Sequence, residues 1–501
     1  MARPGTYDLA DADYAFLTLG WMTADAAYSR HPWHEQTAGR HTLRRGPDRQ
    51  AQSAGKFGPV PGAGSIATID VPAGSARRIP AGSVTTVPLR ACTPVSPRSP
   101  MLSPESAAVV RATLPAVGGA LDEITTRFYH TMFTEQPELL DGLFNRGNQA
   151  SGEQRRALAA SIAGFAQALL ADPDARPEAL LSRIAHKHAA LGVTEDQYTI
   201  VHKYLFRAIG DVLGEAVTPD VAAAWDEVYW LMAGALIAQE ARHYQEAQVD
   251  PRKPWRQWAV VERREETPDV ASFLLRPADD GPLPQARAGQ YVSVRVFMPD
   301  GIHQTRQYSL SNAPGDSLRR ITVKRVASVA GAPEGEVSNQ LHRTVRAGDE
   351  LTLSAPFGDV VLDDAETPLV LASAGIGCTP MVGMLEHLAA TGSTRPVWVL
   401  HADRGPADHA LRAETRRLVE QLPDGRAEFW YEQDATDEPG SHRGLMDLDS
   451  LDVPADADVY LCGSVPFMRG VRTQLLHAGV PARSIRYEVF GPDLRLAHAE
   501  G

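Results

Sequence analysis

An arginine, an aromatic ring and a hydroxyl follow closely in Arg306-Gln307-Tyr308-Ser309, on a run that reads as a β-strand. A guanidinium can hold a phosphate, a ring can stack on a flat heterocycle, and a hydroxyl can hydrogen-bond that heterocycle's edge. Gly289-Gln290-Tyr291 precedes this motif. Further on, Gly375-Ile376-Gly377-Cys378-Thr379-Pro380 follows an apolar strand and opens a helix at Pro380. Backbone N–H groups and the helix dipole there can face a pyrophosphate. Either motif alone is common; in this order they point to a ligand with a flat ring and a dinucleotide. The third candidate is a histidine. On a helix, Leu181, Ile184, Ala185, His188 and Leu191 share one face, His186 points elsewhere, and Gly192 is placed to end the helix. His188 on that apolar face is either a hydrogen-bonded core residue or an axial ligand to a metal cofactor, and the window alone favours the first.

Three kinds of chain must position these residues. Residues 1–100 carry ten Gly, eleven Pro and a net charge of +4, with no sustained period of 2 or 3.6 from about Gly39 to Pro100. Such a segment cannot bury enough apolar area to offset its chain entropy. It is expected to be a disordered extension, or to lie outside the natural product, because Met101 opens a well-patterned domain. From Ser103 to about Val249 the pattern is helical, in six or seven helices. Ser103-Pro104 and Thr218-Pro219 read as helix starts, and Ser151…Gln154 and Thr194…Gln197 as capping boxes. After the stiff linker Asp250–Pro254 the period becomes 2. Runs at Trp258–Arg264, Ser272–Arg276, Tyr291–Phe297, Gln307–Leu310, Arg320–Val326 and Glu350–Ser354 predict a small antiparallel barrel, with a loop insertion at Gly331–Gly335. From Thr367 onward, strands alternate with helices such as Met381–Ala390 and Asp408–Gln421, as in a parallel doubly wound sheet.

The net charge of −13 argues against nucleic acid or an anionic membrane as main partner. No uninterrupted apolar run approaches the ~20 residues of a spanning helix. Tyr14 to Met22, the nearest thing to a signal core, follows an acidic start. Cys92, Cys378 and Cys462 are too widely spaced for a disulfide framework or a zinc site, so a reducing, cytoplasmic setting is expected.

The strand motif and Gly-rich turn together resemble the ferredoxin-reductase family of FAD- and NAD(P)H-binding modules. Lys324-Arg325 and Val337-Ser338-Asn339 look like its flavin-pyrophosphate segment, and Cys462-Gly463 to Met468 like its nicotinamide-side loop. Tyr487-Glu488-Val489-Phe490-Gly491-Pro492 is similar to the tail against the flavin ring. The family often has Cys where Val489 stands, so no thiol acts there, while the resemblance places Glu488 near the ring. The helical segment resembles a globin, and the fusion of the two resembles bacterial flavohaemoglobins over nearly all of residues 101–492.

That resemblance implies an all-α globin (101–250), an antiparallel β-barrel FAD domain (255–362) and an α/β doubly wound NAD(P)H domain (363–501). It implies haem b, FAD and NADH or NADPH as cofactors, and nitric oxide dioxygenase activity, converting NO and O2 to nitrate. His188, in Lys187-His188, falls at the family's proximal haem ligand, and Tyr198 and Glu240 at that ligand's partners. Tyr129 matches the distal tyrosine, Phe144 the aromatic on the haem face, and Gln154 and Leu158 the other distal positions. A carboxylate partner would make the imidazole more basic and favour O–O activation over reversible storage. Glu240 shares a stripe with Met232 and Leu236, where an unpaired carboxylate is costly, unless it is an exposed helix-end residue. Tyr198 could equally be core. Gln154 faces a choice between folding back on Ser151 and pointing at the ligand. Asp403-Arg404 offers both an acid for a ribose hydroxyl and a base for a 2′-phosphate, so NADH with NADPH accepted is expected. The partners expected are small molecules alone, with no nucleic acid and no obligatory membrane association, on a monomer. Rival readings are a flavin-centred peroxide or quinone reductase and a haem-based O2 or NO sensor signalling through residues 1–100.

Overall fold

Helix starts follow the caps read from the sequence. The computed structural model describes residues 101–144, 153–172, 177–315, 317–328 and 334–490. The N-terminal 100 residues, the Ser151 cap, residues 331–333 of the expected insertion, Gly491 and Pro492 lie outside these, as does the side chain of Gln154. Ser103 accepts from the Ser106 N–H and opens α1 (Pro104–Glu135), which runs unbroken through Pro115. Then come α2 (Glu153–Ala171), α3 (Glu178–Leu191), α4 (Glu195–Leu213) and α5 (Pro219–Glu246). The capping box of Thr194 and Gln197 is formed at the head of α4, and Thr218 caps α5. Gly192, in the left-handed region, ends α3 as expected. Among the described residues this region has five α-helices and two 3-10 turns, fewer than the expected six or seven helices. The long, apolar α5 meets the length and composition of a membrane span, yet its Trp225, Val228, Met232 and Leu236 belong to the helical core.

Trp255 starts a six-stranded antiparallel sheet in the order β4-β3-β6-β1-β2-β5. Its strands are β1 (Trp255–Thr267), β2 (Val270–Pro277), β3 (Tyr291–Phe297), β4 (His303–Ser309), β5 (Arg319–Lys324) and β6 (Glu350–Ser354). A bridge between Leu310 and Ile321 links the sheet's two ends, as a barrel requires. Helix α6 (Glu336–Thr344) contributes Val337 and Leu341 to the barrel core. β4 begins at His303, four residues earlier than its apolar pattern shows, because pairing with β3 rather than alternation defines it.

The last sheet is parallel, in the order β10-β9-β8-β7-β11-β12. It comprises β7 (Leu369–Ala374), β8 (Val397–Asp403), β9 (Gly425–Tyr431), β10 (Ser441–Arg443), β11 (Asp458–Cys462) and β12 (Ile485–Glu488). The strand order reverses between β7 and β11, which is where such sheets bind ligands. Helices α7 (Cys378–Thr391), α8 (Arg412–Glu420) and α9 (Val465–His477) complete the layer. Helix α8 starts at Arg412 rather than Asp408. His409 is buried and bonded to the Tyr431 hydroxyl at 2.8 Å, and Leu411 has φ +59°, which holds the preceding segment out of the helix. Helical and reductase regions lie in one compact unit.

Candidate active site

Helices α1 to α5 line an apolar cavity. His188 and Tyr198 line it together with Tyr129, Phe144 and Leu158, so five of the expected residues meet around one space. Met132, Ile184, Val201 and Leu236 supply apolar wall. Glu240 stands behind His188, buried at 5% exposure, which removes the exposed helix-end reading. His188 Nδ1 lies 2.8 Å from Glu240 Oε1 and 2.8 Å from the Tyr198 hydroxyl, and that hydroxyl donates to the same Oε1 at 2.5 Å. An ionised carboxylate can only accept, so Nδ1 is the donor in this contact and Nε2 is the ring nitrogen that would ligate a metal. Burial, then the Glu240 charge, pushes the Tyr198 hydroxyl far above its ordinary range. Tyr198 is thus both core residue and partner. Burial likewise keeps Tyr129 neutral, a hydroxyl in an apolar wall beside Phe133 and Phe144. One imidazole, oriented from behind by a carboxylate and lining an apolar space, fits a haem.

The barrel strands offer a second face. Tyr291 pairs with Ser309 and Ser293 with Gln307, so these four share one side of β3 and β4, while Arg306 and Tyr308 lie on the other with Val292 and Val294. The Arg–aromatic–Ser motif is therefore split between two faces by strand alternation. Arg306 is buried, with Nη1 donating to Thr305 O at 2.9 Å. The Tyr291 hydroxyl and Gln307 Oε1 are buried with no hydrogen-bond partner among the described residues. Buried polar atoms of this kind fit a ligand with a hydrogen-bonding edge, as a flavin has. Lys324 lies 3.9 Å from Asp269, and Val337 and Ser338 are buried in the first turn of α6, where Ser338 Oγ accepts from the Val326 N–H.

The Gly-rich turn meets the expected nicotinamide-side loop directly. Gly375–Gly377 form a 3-10 turn, and α7 opens at Cys378, two residues before Pro380. A Cβ on Gly377 would lie 2.3 Å from Cys462 O, so only glycine lets the ends of β7 and β11 approach. A Cβ on Gly463 would meet the Phe467 ring at 2.8 Å and Ala374 at 3.0 Å. Ile376 is half-buried, and Thr379 donates to its carbonyl at 3.1 Å. The thiols of Cys378 and Cys462 are buried and raised, Cys378 to about 12, so the motif offers backbone rather than sulfur. Gly377→Val is expected to raise the KM for NADH about tenfold or more by displacing this turn, with haem and FAD content retained. Stopped-flow flavin reduction checks it.

Residues 126–236 match the family described as Globin, and residues 371–473 that described as Oxidoreductase NAD-binding domain. Flavohemoprotein of Chromobacterium violaceum is 41% identical over 402 residues, which is 78% of this chain and 98% of that protein. Flavohemoprotein of Bordetella pertussis is 42% identical over 404 residues, 78% of this chain and 99% of that protein. The chain belongs to the flavohemoprotein family. A crystal structure of flavohemoglobin from Malassezia yamatoensis, described with bound FAD and heme, is 39% identical with a TM-score of 0.71. It covers 78% of this chain and 100% of that one. The order of regions, globin then antiparallel sheet then parallel sheet, is the family's.

Between the two halves of this flavohemoprotein lies a charged junction that the sequence did not disclose. Arg183, on α3, bonds Asp359 through Nε at 3.2 Å and donates from Nη2 to Tyr487 O at 2.8 Å, so one guanidinium touches all three domains. Lys187, one helical turn further on, is buried beside Glu488. Burial pushes Lys187 down to about 8 and Glu488 up, and the charge of each partly offsets the other's shift. His186 indeed points away from the cavity: its Nδ1 accepts from the Gly358 N–H at 3.2 Å and its ring stacks on His243 at 3.7 Å. Val489 is buried and Phe490 half-buried at the same end. A legible signal did exist, since Arg183 and Lys187 are four apart and form a basic stripe on an otherwise apolar helix. Arg183→Met is expected to cost about 3 kcal/mol by leaving Asp359 without its counter-charge. It should slow flavin-to-haem electron transfer but not flavin reduction by NADH; thermal melts and stopped-flow spectra check both.

Proposed function

We propose that this chain is a nitric oxide dioxygenase that uses haem, FAD and NAD(P)H to convert NO and O2 to nitrate. The observation that carries the reading is the His188–Tyr198–Glu240 triad opening on an apolar cavity with Tyr129 in its wall, in one compact unit with a reductase module. When bound, NAD(P)H would supply the hydride, FAD its acceptance and release as single electrons, and haem the activation of oxygen. The protein's own residues do the rest. Glu240 keeps the Nδ1 proton in place and raises the basicity of His188. Tyr129 offers a neutral O–H donor, and Phe144 and Leu158 keep water out. Tyr291, Gln307 and Ser309 supply polar contacts for a flavin, with Arg306 and Tyr308 on the other flank of the strand. Backbone at Gly375–Pro380 and Cys462-Gly463 would take the nicotinamide dinucleotide.

Both nicotinamide cofactors are proposed as donors. The Asp403 side chain is turned inward, 3.5 Å from His401, while Arg404 is exposed and paired with Asp408, which leaves a surface cation for a 2′-phosphate. A monomeric, cytoplasmic enzyme acting on small molecules belongs to the same proposal, and the net charge of −13 speaks against a nucleic-acid partner. Anaerobic addition of NADH should reduce flavin and then haem. Subsequent NO should be consumed with O2, releasing nitrate. A haem that NADH leaves oxidised, or NO consumption without nitrate, would sink the reading.

A further inference from the structure

One wall of the haem cavity is anchored outside its own domain. Asp141 to Phe144 follow the 3-10 turn Pro137–Leu140 and carry Leu143 and Phe144 to the cavity. The same segment lies along β4, the edge strand of the barrel sheet. The Gly142 N–H donates to His303 O at 3.0 Å, and the Thr305 hydroxyl donates to Gly142 O at 2.8 Å. Asp141 Oδ1 accepts from the His303 N–H at 2.6 Å and lies 3.0 Å from His303 Nδ1, while Arg295 stands 3.5 Å from Oδ2. Backbone groups that an edge strand leaves open are thus taken by the globin, in the manner of strand addition. The approach is close. Gly142 has φ +79°, and a Cβ there would meet the Arg295 guanidinium at 2.9 Å.

The strand that grips this segment is also the one that carries the flavin-side motif. His303 and Thr305 hold Asp141 and Gly142, and the next four residues are Arg306 to Ser309. Phe144, two residues past Gly142, is buried against Tyr129 and Phe133 in the cavity wall. We propose that Asp141, held by His303, and Gly142, held by Thr305 of the same strand β4, position Phe144, so that docking of the reductase module tunes how small ligands enter and leave the haem cavity. The proposal rests on the reading of that cavity as the haem site.

The test uses the full chain with Asp141→Ala, Thr305→Val and the conservative Asp141→Asn. The measurements are CO rebinding after flash photolysis, cyanide binding to the ferric protein, thermal melts and flavin reduction by NADH. Asp141→Ala and Thr305→Val are expected to change ligand rates in the same direction by about threefold or more, the size of one lost hydrogen bond. Asp141→Asn, which keeps an acceptor for the His303 N–H, should restore most of the difference. Flavin reduction should stay at the unaltered rate in all three. Thr305→Val keeps its side-chain shape, so it carries the test if Asp141→Ala does not fold. Unchanged ligand rates in the folded variants would overturn the clamp alone. An unaltered protein that gives no CO spectrum would overturn the haem reading and the clamp with it.

Discussion

Replacing His188 by alanine is expected to leave the flavin half working and the globin half without its iron ligand. The imidazole is the one cavity-lining side chain whose proton is fixed on the far nitrogen, by Glu240 Oε1 at 2.8 Å. Among the described residues, removing it leaves apolar wall, hydroxyls and the Gln197 amide, none of which replaces an imidazole nitrogen. It also strands Glu240 in a buried site where, among the described residues, the Tyr198 hydroxyl alone is left to bond it, which adds a folding cost. NADH-driven NO consumption should fall by on the order of 100-fold or more, beyond the 10- to 100-fold typical of losing a ligand's supporting partner. NADH-dependent ferricyanide reduction, which needs only the flavin half, should persist. Absorption spectra and haem content per chain decide the matter. A His188→Ala protein with haem bound and its spectrum unchanged would show that the iron is held elsewhere.

Glu240→Leu separates the chemistry of the triad from its contribution to folding. The leucine fills similar space, lies on the same stripe as Met232 and Leu236, and removes a buried carboxylate whose desolvation is costly. The Tyr198 hydroxyl and the His188 Nδ1–H lose their shared buried acceptor, so stability is still expected to fall, by about 1–3 kcal/mol. Activity should fall much further. Without the carboxylate, His188 Nδ1–H keeps the Tyr198 oxygen, itself deprived of its acceptor, and the imidazole becomes a weaker electron donor. Turnover is expected to fall about 10- to 100-fold, with a lower iron–histidine stretching frequency in resonance Raman spectra. Glu240→Gln tests the tautomer, because an amide that turns its N–H₂ toward Nδ1 would demand the opposite protonation. Full turnover in Glu240→Leu would remove electron donation from the mechanism.

Several elements were legible because their signals are local. A cap and the donor it satisfies lie within one helical turn, so Ser103, Thr194 and Thr218 could be read directly. Gly192 ends its helix for an equally local reason. The split of Arg306 and Tyr308 from Gln307 and Ser309 was also implicit in strand period, although the motif was read as one unit. β12 and the start of β4 were not legible. Ile485–Glu488 has too little pattern of its own, and His303–Thr305 are polar, so their pairing partners make them strands.

By itself the sequence determined the order of helical, barrel and α/β regions, the Gly-rich turn and the apolar face on which His188 stands, because each depends on neighbours a few residues away. The tertiary structure decided what surrounds His188. Tyr198 and Glu240 reach its Nδ1 from 10 and 52 residues away, and no periodicity records contacts of that span. It also decided that Arg183 ties α3 to Asp359 and Tyr487, and that Phe144 is held from β4. Such contacts arise only when separate elements pack, since burial and the satisfaction of buried polar groups are properties of the folded assembly rather than of any one segment.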